Sequence, residues 1–316
     1  LTVCPDTDKR CSVIPFVNLK MLYHQPGNSP LNVSVIGFGC MSLKPGHQEN
    51  SGILHRAVEL GINFFDTADL YDKGENEKLL GQTFKEKRKE LILATKVGNQ
   101  WRSDGSGWDW NASKAYILSA VEQSLQRLQT DYIDLYQLHG GMITDNIGET
   151  IETFEELKKS GKIRAYGISS IRPNVIREYV NRSSIDSVMM QYSLLDRRPE
   201  EDCFTLLEKN NISVISRGGI AQGLLAGKPA KEYAGLNTAQ VQGAADAIAQ
   251  LSLAERTPVQ TALQFVLSQV PVAIAGIRTM EQLEEVVKTV ETPVLTEKEI
   301  AILKAVNPAN KYTDHR

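Results

Sequence analysis

Eight short β-branched or leucine-rich runs alternate with longer amphipathic stretches along this chain. That alternation restricts the fold more than any other feature. The runs fall at 33–37, 63–66, 91–96, 132–139, 163–169, 187–191, 213–216 and 272–276. Between them the apolar residues recur with helical spacing. Ile117, Val121, Leu125 and Leu128 share one face of 113–128, and Val259, Ala262, Leu263, Val266 and Leu267 share one face of 257–268. Helix starts are legible too. Thr257, Pro258 and Gln260 supply a capping hydroxyl, a first-turn proline and a reciprocal amide, and Thr279 with Gln282 repeats the spacing. Strands joined through helices need long crossovers and run parallel. Eight such units close on themselves, so the expected class is α/β, a (β/α)8 TIM barrel. A doubly wound open sheet would show three glycines, GxGxxG, after its first strand. Gly37-Phe38-Gly39-Cys40-Met41-Ser42 has two glycines and lacks the third. Segment 21–33 reads as a hairpin turning at Pro26-Gly27-Asn28 and capping the barrel bottom. Residues 21–316 are expected to form one barrel domain, after a leader at 1–20 to which no role is assigned.

Composition excludes several classes of function. With 41% apolar and 23% charged residues the chain has ordinary globular composition. A net charge of −3 gives no electrostatic reason to expect nucleic acid or an anionic membrane as partner. No apolar run approaches the ~20 residues of a spanning helix. The first residues lack a clean apolar core and a small-residue cleavage site, so they do not read as a signal peptide. Cys4, Cys11, Cys40 and Cys203 form no CxxC pair. They read as reduced thiols, with a cytoplasmic location expected. A Cys4–Cys11 bridge is compatible with the sequence, but nothing requires it.

In a barrel the chemistry gathers where strands end at the C-terminal face. Asp66, Lys96 and His139 each end a strand, and Tyr71 follows Asp66 by five residues in the loop before a helix starting near Gly74. Taken singly, each has an ordinary explanation: a helix cap, a lysine reaching solvent, a structural histidine, a packed tyrosine. Three consecutive strands delivering ionisable groups to one end favour an active site.

The segment from Asn63 through Asp66 to Tyr71, with Gly74-Glu75-Asn76-Glu77, resembles the aldo-keto reductase signature. So do Asp131 through His139, Gly167-Ile168-Ser169-Ser170 and Met190-Gln191. The similarity runs from about Met21 to Val290. Within the superfamily, 167–173 and 191–199 most resemble the general-stress-protein reductases of Gram-positive bacilli. The resemblance implies NADPH-dependent reduction of a small-molecule aldehyde or ketone, with no metal. A nicotinamide hydride attacks the carbonyl carbon, and Tyr71 donates a proton to the oxygen. Lys96 lowers the phenol's pKa, Asp66 keeps Lys96 charged, and His139 hydrogen-bonds the carbonyl oxygen.

The same resemblance assigns cofactor contacts. Gly39, Cys40 and Met41 lie along the end of the first strand. Ser169, Ser170 and Gln191 would hold the carboxamide, with Ser170 standing where the family commonly has asparagine. Arg217 replaces a family aromatic and would stack on the nicotinamide or reach the phosphates. Gly218, Ala221, Gln222, Gly223, Leu224 and Lys228 would wrap the pyrophosphate. Gly276, Arg278 and Gln282 mark a capped helix start suited to the 2′-phosphate of NADP+. Val286 occupies a place where many relatives carry an adenine-binding asparagine. Trp101, Trp108 and Trp110 cluster in the loop after Lys96 and would wall an apolar substrate. The rival readings are a redox-sensing regulatory subunit on the same fold, resembling potassium-channel β subunits, an NAD-dependent polyol or alcohol dehydrogenase, and a non-redox barrel enzyme. The complete tetrad favours a reductase. Oligomeric state has no signal in the sequence.

Overall fold

The computed structural model describes residues 20–44, 46–252 and 255–316. Cys4, Cys11 and all of the leader except Lys20 lie outside the described residues. Twelve strands are described: β1 (Tyr23–His24), β2 (Val33–Ser34), β3 (Ile36–Gly39), β4 (Phe64–Asp66), β5 (Ile92–Val97), β6 (Asn99–Trp101), β7 (Trp108–Trp110), β8 (Ile133–Leu138), β9 (Ile163–Ser169), β10 (Ser187–Gln191), β11 (Ser213–Arg217) and β12 (Val272–Gly276). The helices are α1 (Asn50–Glu59), α2 (Glu75–Phe84), α3 (Lys114–Leu128), α4 (Ile147–Lys159), α5 (Pro173–Arg182), α6 (Cys203–Lys209), α7 (Thr238–Leu251), α8 (Pro258–Leu267), α9 (Met280–Val287) and α10 (Glu297–Val306).

Eight of the strands close into the expected barrel, in the order β3-β4-β5-β8-β9-β10-β11-β12 with β12 returning to β3. Every neighbouring pair is parallel. Side chains alternate across a strand, and that period divides the core in two. Phe64, Ile92, Ala94, Leu135, Ala165, Met189, Ile215, Val272 and Ile274 fill the barrel interior, joined from below by Leu31 and Val33 of the β1–β2 hairpin. Residues of opposite parity, such as Phe38, Phe65, Leu93 and Tyr136, pack outward against the helices. On β3 the inward positions are Gly37 and Gly39. A Cβ on Gly37 would meet Phe64 at 2.9 Å and also strike Ile274, and one on Gly39 would meet Ile274 at 2.9 Å. These glycines, read from sequence as part of an incomplete phosphate fingerprint, make room for large side chains from β4 and β12.

Three sequence expectations change. The run at 33–37 is not one strand: Val33–Ser34 pairs antiparallel with Tyr23–His24, and the barrel strand starts at Ile36. The chain bends because the Ser34 hydroxyl donates to the Ile36 carbonyl at 2.7 Å while its amide is held by Asn63 Oδ1 at 2.7 Å. The loop carrying the tryptophans is itself an antiparallel pair, β6–β7, with Trp101 opposite Trp108. Thr257 and Gln260 form the expected capping box, but the Gln282 amide oxygen accepts from the Arg278 N–H, not from that of the capping Thr279.

Asp134 sits in the second signature segment and is fully buried behind β8. It forms an ion pair with Arg88 at 2.7 Å and accepts from Arg164 at 2.7 Å and from the Leu93 amide at 3.0 Å. Removing one partner of a buried pair strands the other charge. Asp134→Ala should therefore destabilise the protein by about 3–5 kcal/mol, measured by urea unfolding. An effect below about 1 kcal/mol, the scale of a surface pair, would show the network to be dispensable.

Candidate active site

The inward parity that fills the lower barrel with apolar side chains places Asp66, Lys96, Ser169, Gln191, Arg217 and Gly276 at the inward positions of the C-terminal end. Asp66 stands opposite Ala94 in the β4–β5 register, so Lys96 lies one pleat higher on the same face. Its ammonium reaches back to Asp66 Oδ2 at 2.7 Å and also donates to the Thr67 carbonyl at 2.7 Å. Both side chains are almost fully buried. The Lys96 nitrogen is 5.3 Å from the centre of the Tyr71 ring, and that ring meets His139 edge-on at 5.9 Å and 81°. The four residues singled out from sequence converge on one spot.

The electrostatics follow from burial inside this cluster. Burial opposes the Lys96 charge, but Asp66 and Tyr71 together hold its pKa above the usual value. Burial pushes Asp66 up, against the pull of Lys96. The two directions compete for one proton. The two 2.7 Å acceptors on the Lys96 amine favour the charged pair. Burial, then Lys96 and Arg217, lower His139 to about 3, so its imidazole is neutral. Tyr71 corrects the sequence expectation. Lys96 and Arg217 do pull its pKa down, but burial raises it more, and the net shift is upward. The phenol therefore keeps its proton well into alkaline solution. His139 Nδ1 is buried without a partner among the described residues, and Asp66 Oδ1 and Gln137 lie side by side without forming a well-aligned hydrogen bond, as expected of a polar site with capacity to spare.

Tyr71 opens a tight turn in which Asp72 (φ 48°) and Lys73 (φ 56°) are left-handed, followed by Gly74 at φ 87°. Left-handed non-glycine residues cost on the order of 1–3 kcal/mol each and persist only where their surroundings enforce them. The rest of the signature supplies that enforcement. The Asn76 amide donates to the Cys40 carbonyl at 2.8 Å and accepts from the Thr67 hydroxyl at 2.7 Å. Glu77, fully buried, accepts from Thr95 at 2.5 Å and from Arg127 at 2.6 Å. Arg127 in turn lies against Gly74, where a Cβ would meet it at 2.6 Å. Sequence reasoning missed these fasteners. Their signal was polar residues on the inner face of α2, opposite an arginine on α3.

The cofactor candidates are distributed as follows. Cys40 is fully buried and its carbonyl is occupied by Asn76 and Leu43, whereas Met41 is exposed on the rim. Ser169 and Ser170 are buried at the end of β9, and the Ser170 hydroxyl accepts from the Arg172 amide at 3.2 Å. The Gln191 amide is engaged at both ends, receiving Arg217 at 3.0 Å and donating to Asp196 at 2.9 Å and Tyr233 at 3.1 Å. Asp196 is held by two bonds from Arg198, at 2.8 and 2.7 Å. Arg217 is exposed at the barrel mouth, where its charge is felt by Asp66, Tyr71 and His139. Gly218, Ala221, Gln222 and Gly223 all have positive φ, and Lys228 folds back to donate to the Gln222 carbonyl at 2.9 Å. Arg278 and Gln282 are exposed at the start of α9, and Val286 is core. The tryptophans do different things. Trp108 is 48% exposed. Trp110 packs over Gly98 and Gly140 and donates to Asp145 at 2.9 Å. Trp101 donates to the Leu70 carbonyl.

The profile of the Aldo/keto reductase family matches residues 35–308. The uncharacterized oxidoreductase YqkF of Bacillus subtilis is 48% identical over 301 residues, covering 92% of this chain and 98% of that protein. The NADH-specific methylglyoxal reductase of Escherichia coli is 33% identical over 227 residues, covering 66% of this chain and 70% of that protein. The solved holo form of the aldo-keto reductase AKR11C1 from Bacillus halodurans superposes with a TM-score of 0.88 at 47% identity, covering 94% of this chain and 99% of that chain.

If the Lys96 charge balances Asp66, Lys96→Met should cost about 3 kcal/mol or more at pH 7. The sign with pH follows from Asp66. Without its partner the folded carboxyl titrates far above the unfolded value of about 4, so the folded state takes up the proton first and the penalty shrinks as pH falls toward 4. Urea unfolding of both proteins at pH 7 and pH 4.5 would show it. A gap that does not narrow would mean Asp66 is not the group left charged.

Proposed function

Because this chain belongs to the Aldo/keto reductase family, we propose that it reduces aldehydes or ketones to alcohols with NADPH, Tyr71 acting as general acid. The observation that carries this reading is the convergence of a protonated phenol, a buried ammonium and a neutral imidazole in one barrel mouth. The unpartnered Nδ1 of buried His139 fits a mouth that receives a polar ligand. Arg217, Lys228 and Arg278 give the β11–β12 side the positive charge that a dinucleotide's phosphates need. Residues 21–316 act in this reading as one barrel domain, in the cytoplasm, on a small-molecule carbonyl substrate.

A bound reduced nicotinamide supplies the hydride. Ser169, Ser170 and Gln191 would hold its carboxamide, with Gln191 pre-aimed by Asp196 and Tyr233. Arg217 would lie against the ring or the phosphates, with Gly39 and Met41 at the opposite rim. The positive-φ turn 218–224 and Lys228 would cradle the pyrophosphate. The capped start of α9 with Arg278 would take the 2′-phosphate, beside Gly276 and Gln282. His139, being neutral, donates a ring N–H to the carbonyl oxygen and orients it. Tyr71 transfers its proton to that oxygen as negative charge develops there. Lys96 stabilises the phenolate left behind, and Asp66 keeps Lys96 charged and aimed.

Tyr71→Phe should lower kcat on an aromatic aldehyde by about 10²–10⁴-fold while NADPH affinity, read by fluorescence titration, stays constant. For the native enzyme the reduction rate should be flat from acid to mildly alkaline pH, because His139 near 3 is already neutral. It should fall only as pH rises through the raised pKa of Tyr71, where the donor loses its proton. An acid limb near 6.5, the free histidine value, would remove His139 from the assigned role. Arg278→Ala should weaken NADPH binding about tenfold, or roughly 1.4 kcal/mol, and leave NADH binding unchanged. Equal loss for both nucleotides, or none, would sink the 2′-phosphate assignment and favour an NADH enzyme.

A further inference from the structure

The β6–β7 hairpin folds over the turn that carries Tyr71. The Trp101 indole N–H donates to the carbonyl of Leu70, the residue immediately before Tyr71, at 3.1 Å. The Lys73 amide reaches the same carbonyl at 3.3 Å, and the Lys73 ammonium lies 5.0 Å over the Trp101 ring. Asp72 and Lys73, the two left-handed residues between these contacts, are both exposed. No burial of their own side chains explains the conformation, so it is imposed from outside. Arg127 blocks the turn from beneath Gly74, and Trp101 holds it from above.

The hairpin is braced for such a task. Arg102 grips Asp109 across it with two bonds, at 3.0 and 2.6 Å. Trp110 ties it to Asp145 at 2.9 Å, and the Asn99 amide donates to the His139 carbonyl at 3.3 Å. One hairpin therefore touches the backbone on both sides of the mouth, at Leu70 and at His139. One face of the Trp101 ring is covered by Lys73 and its N–H is spent on the main chain, so both of these contacts serve the turn.

We infer that Trp101 is a positioning residue that clamps the strained Leu70–Gly74 turn and so sets Tyr71 beside Lys96, and that it is not a wall of the substrate site. The inference rests on the reading of Tyr71 as the general acid.

Trp101→Phe keeps an aromatic ring under Lys73 but deletes the indole N–H together with the fused pyrrole ring. It should lower kcat about 10–100-fold, the scale of a misplaced catalytic group, with KM for aldehyde and for NADPH within about twofold. The alkaline limb of its pH–rate profile should move upward, because a displaced phenol loses the help of Lys96. Asp72→Gly relieves strain in the turn, so adding it to Trp101→Phe should restore a large part of the lost kcat. Independently of turnover, tyrosine labelled with ¹³C at Cζ gives a Tyr71 resonance, identified by its loss in Tyr71→Phe. In Trp101→Phe that resonance should shift and titrate at higher pH. An aldehyde KM raised more than about fivefold at constant kcat would make Trp101 a substrate wall and overturn the inference. An unmoved Tyr71 resonance would overturn it as well. A native protein that reduces no carbonyl compound would overturn the proposed function, while the resonance would still decide whether Trp101 places Tyr71.

Discussion

The buried ion pair between Lys96 and Asp66 is the constraint around which the upper barrel is arranged. An ammonium and a carboxylate out of water are tolerable only when each finds partners of good geometry. Here that demand fixes the register of β4 against β5, because a slip of one residue would turn Lys96 outward. It also requires the Thr67 carbonyl to face inward as a second acceptor, and that sets the exit of the chain toward Tyr71. Below the pair the interior is apolar and is stoppered by Leu31 and Val33. Above it every inward side chain is polar or absent. The boundary between those layers is where a carbonyl compound would meet a proton donor.

The signature segments mix two kinds of residue that look alike in sequence. Asp66, Tyr71 and His139 face the mouth. Asn76, Glu77, Asp134 and Asp196 are more deeply buried, and they face other protein groups and tie loops and helices to the barrel. The two sets depend on each other. A strained turn at Tyr71 can exist only because Asn76, Glu77 and Arg127 hold its flanks. A carboxamide-sized amide at Gln191 can be aimed only because Asp196 and Arg198 hold it.

Much of this was legible in the sequence, for physical reasons. Strand runs and helix faces reflect burial, which apolar patterning reports directly, so the eight barrel strands, the plugging hairpin and the helix starts at Thr257 and Thr279 were readable. The convergence of Asp66, Lys96 and His139 followed from topology, and Tyr71 joined them through the family resemblance. What escaped depends on tertiary contacts. Val33 and Ile36 form one apolar run but serve two sheets, because the bend at Ser34 is made by Asn63, distant in sequence. The tryptophan loop lacks strand-like alternation and pairs through Arg102 and Asp109. The upward shift of Tyr71 could not be read from a neighbouring lysine, because it comes from how completely the ring is enclosed.

The closing seam of the barrel joins Ile36–Gly39 to Ala273–Gly276. These partners lie far apart in sequence, so their pairing closes the longest loop of any strand pair among the described residues. During synthesis the first barrel strand must wait, with one edge unpaired, until Ala273–Gly276 has emerged. Contacts of such long sequence separation form slowly. Exposed strand edges in the interval invite association with other chains. The interlocking of Gly37 and Gly39 with Ile274 at this seam thus bears on the yield of folded protein as well as on its final packing. A side chain added there would act on a step that the ribosome itself delays.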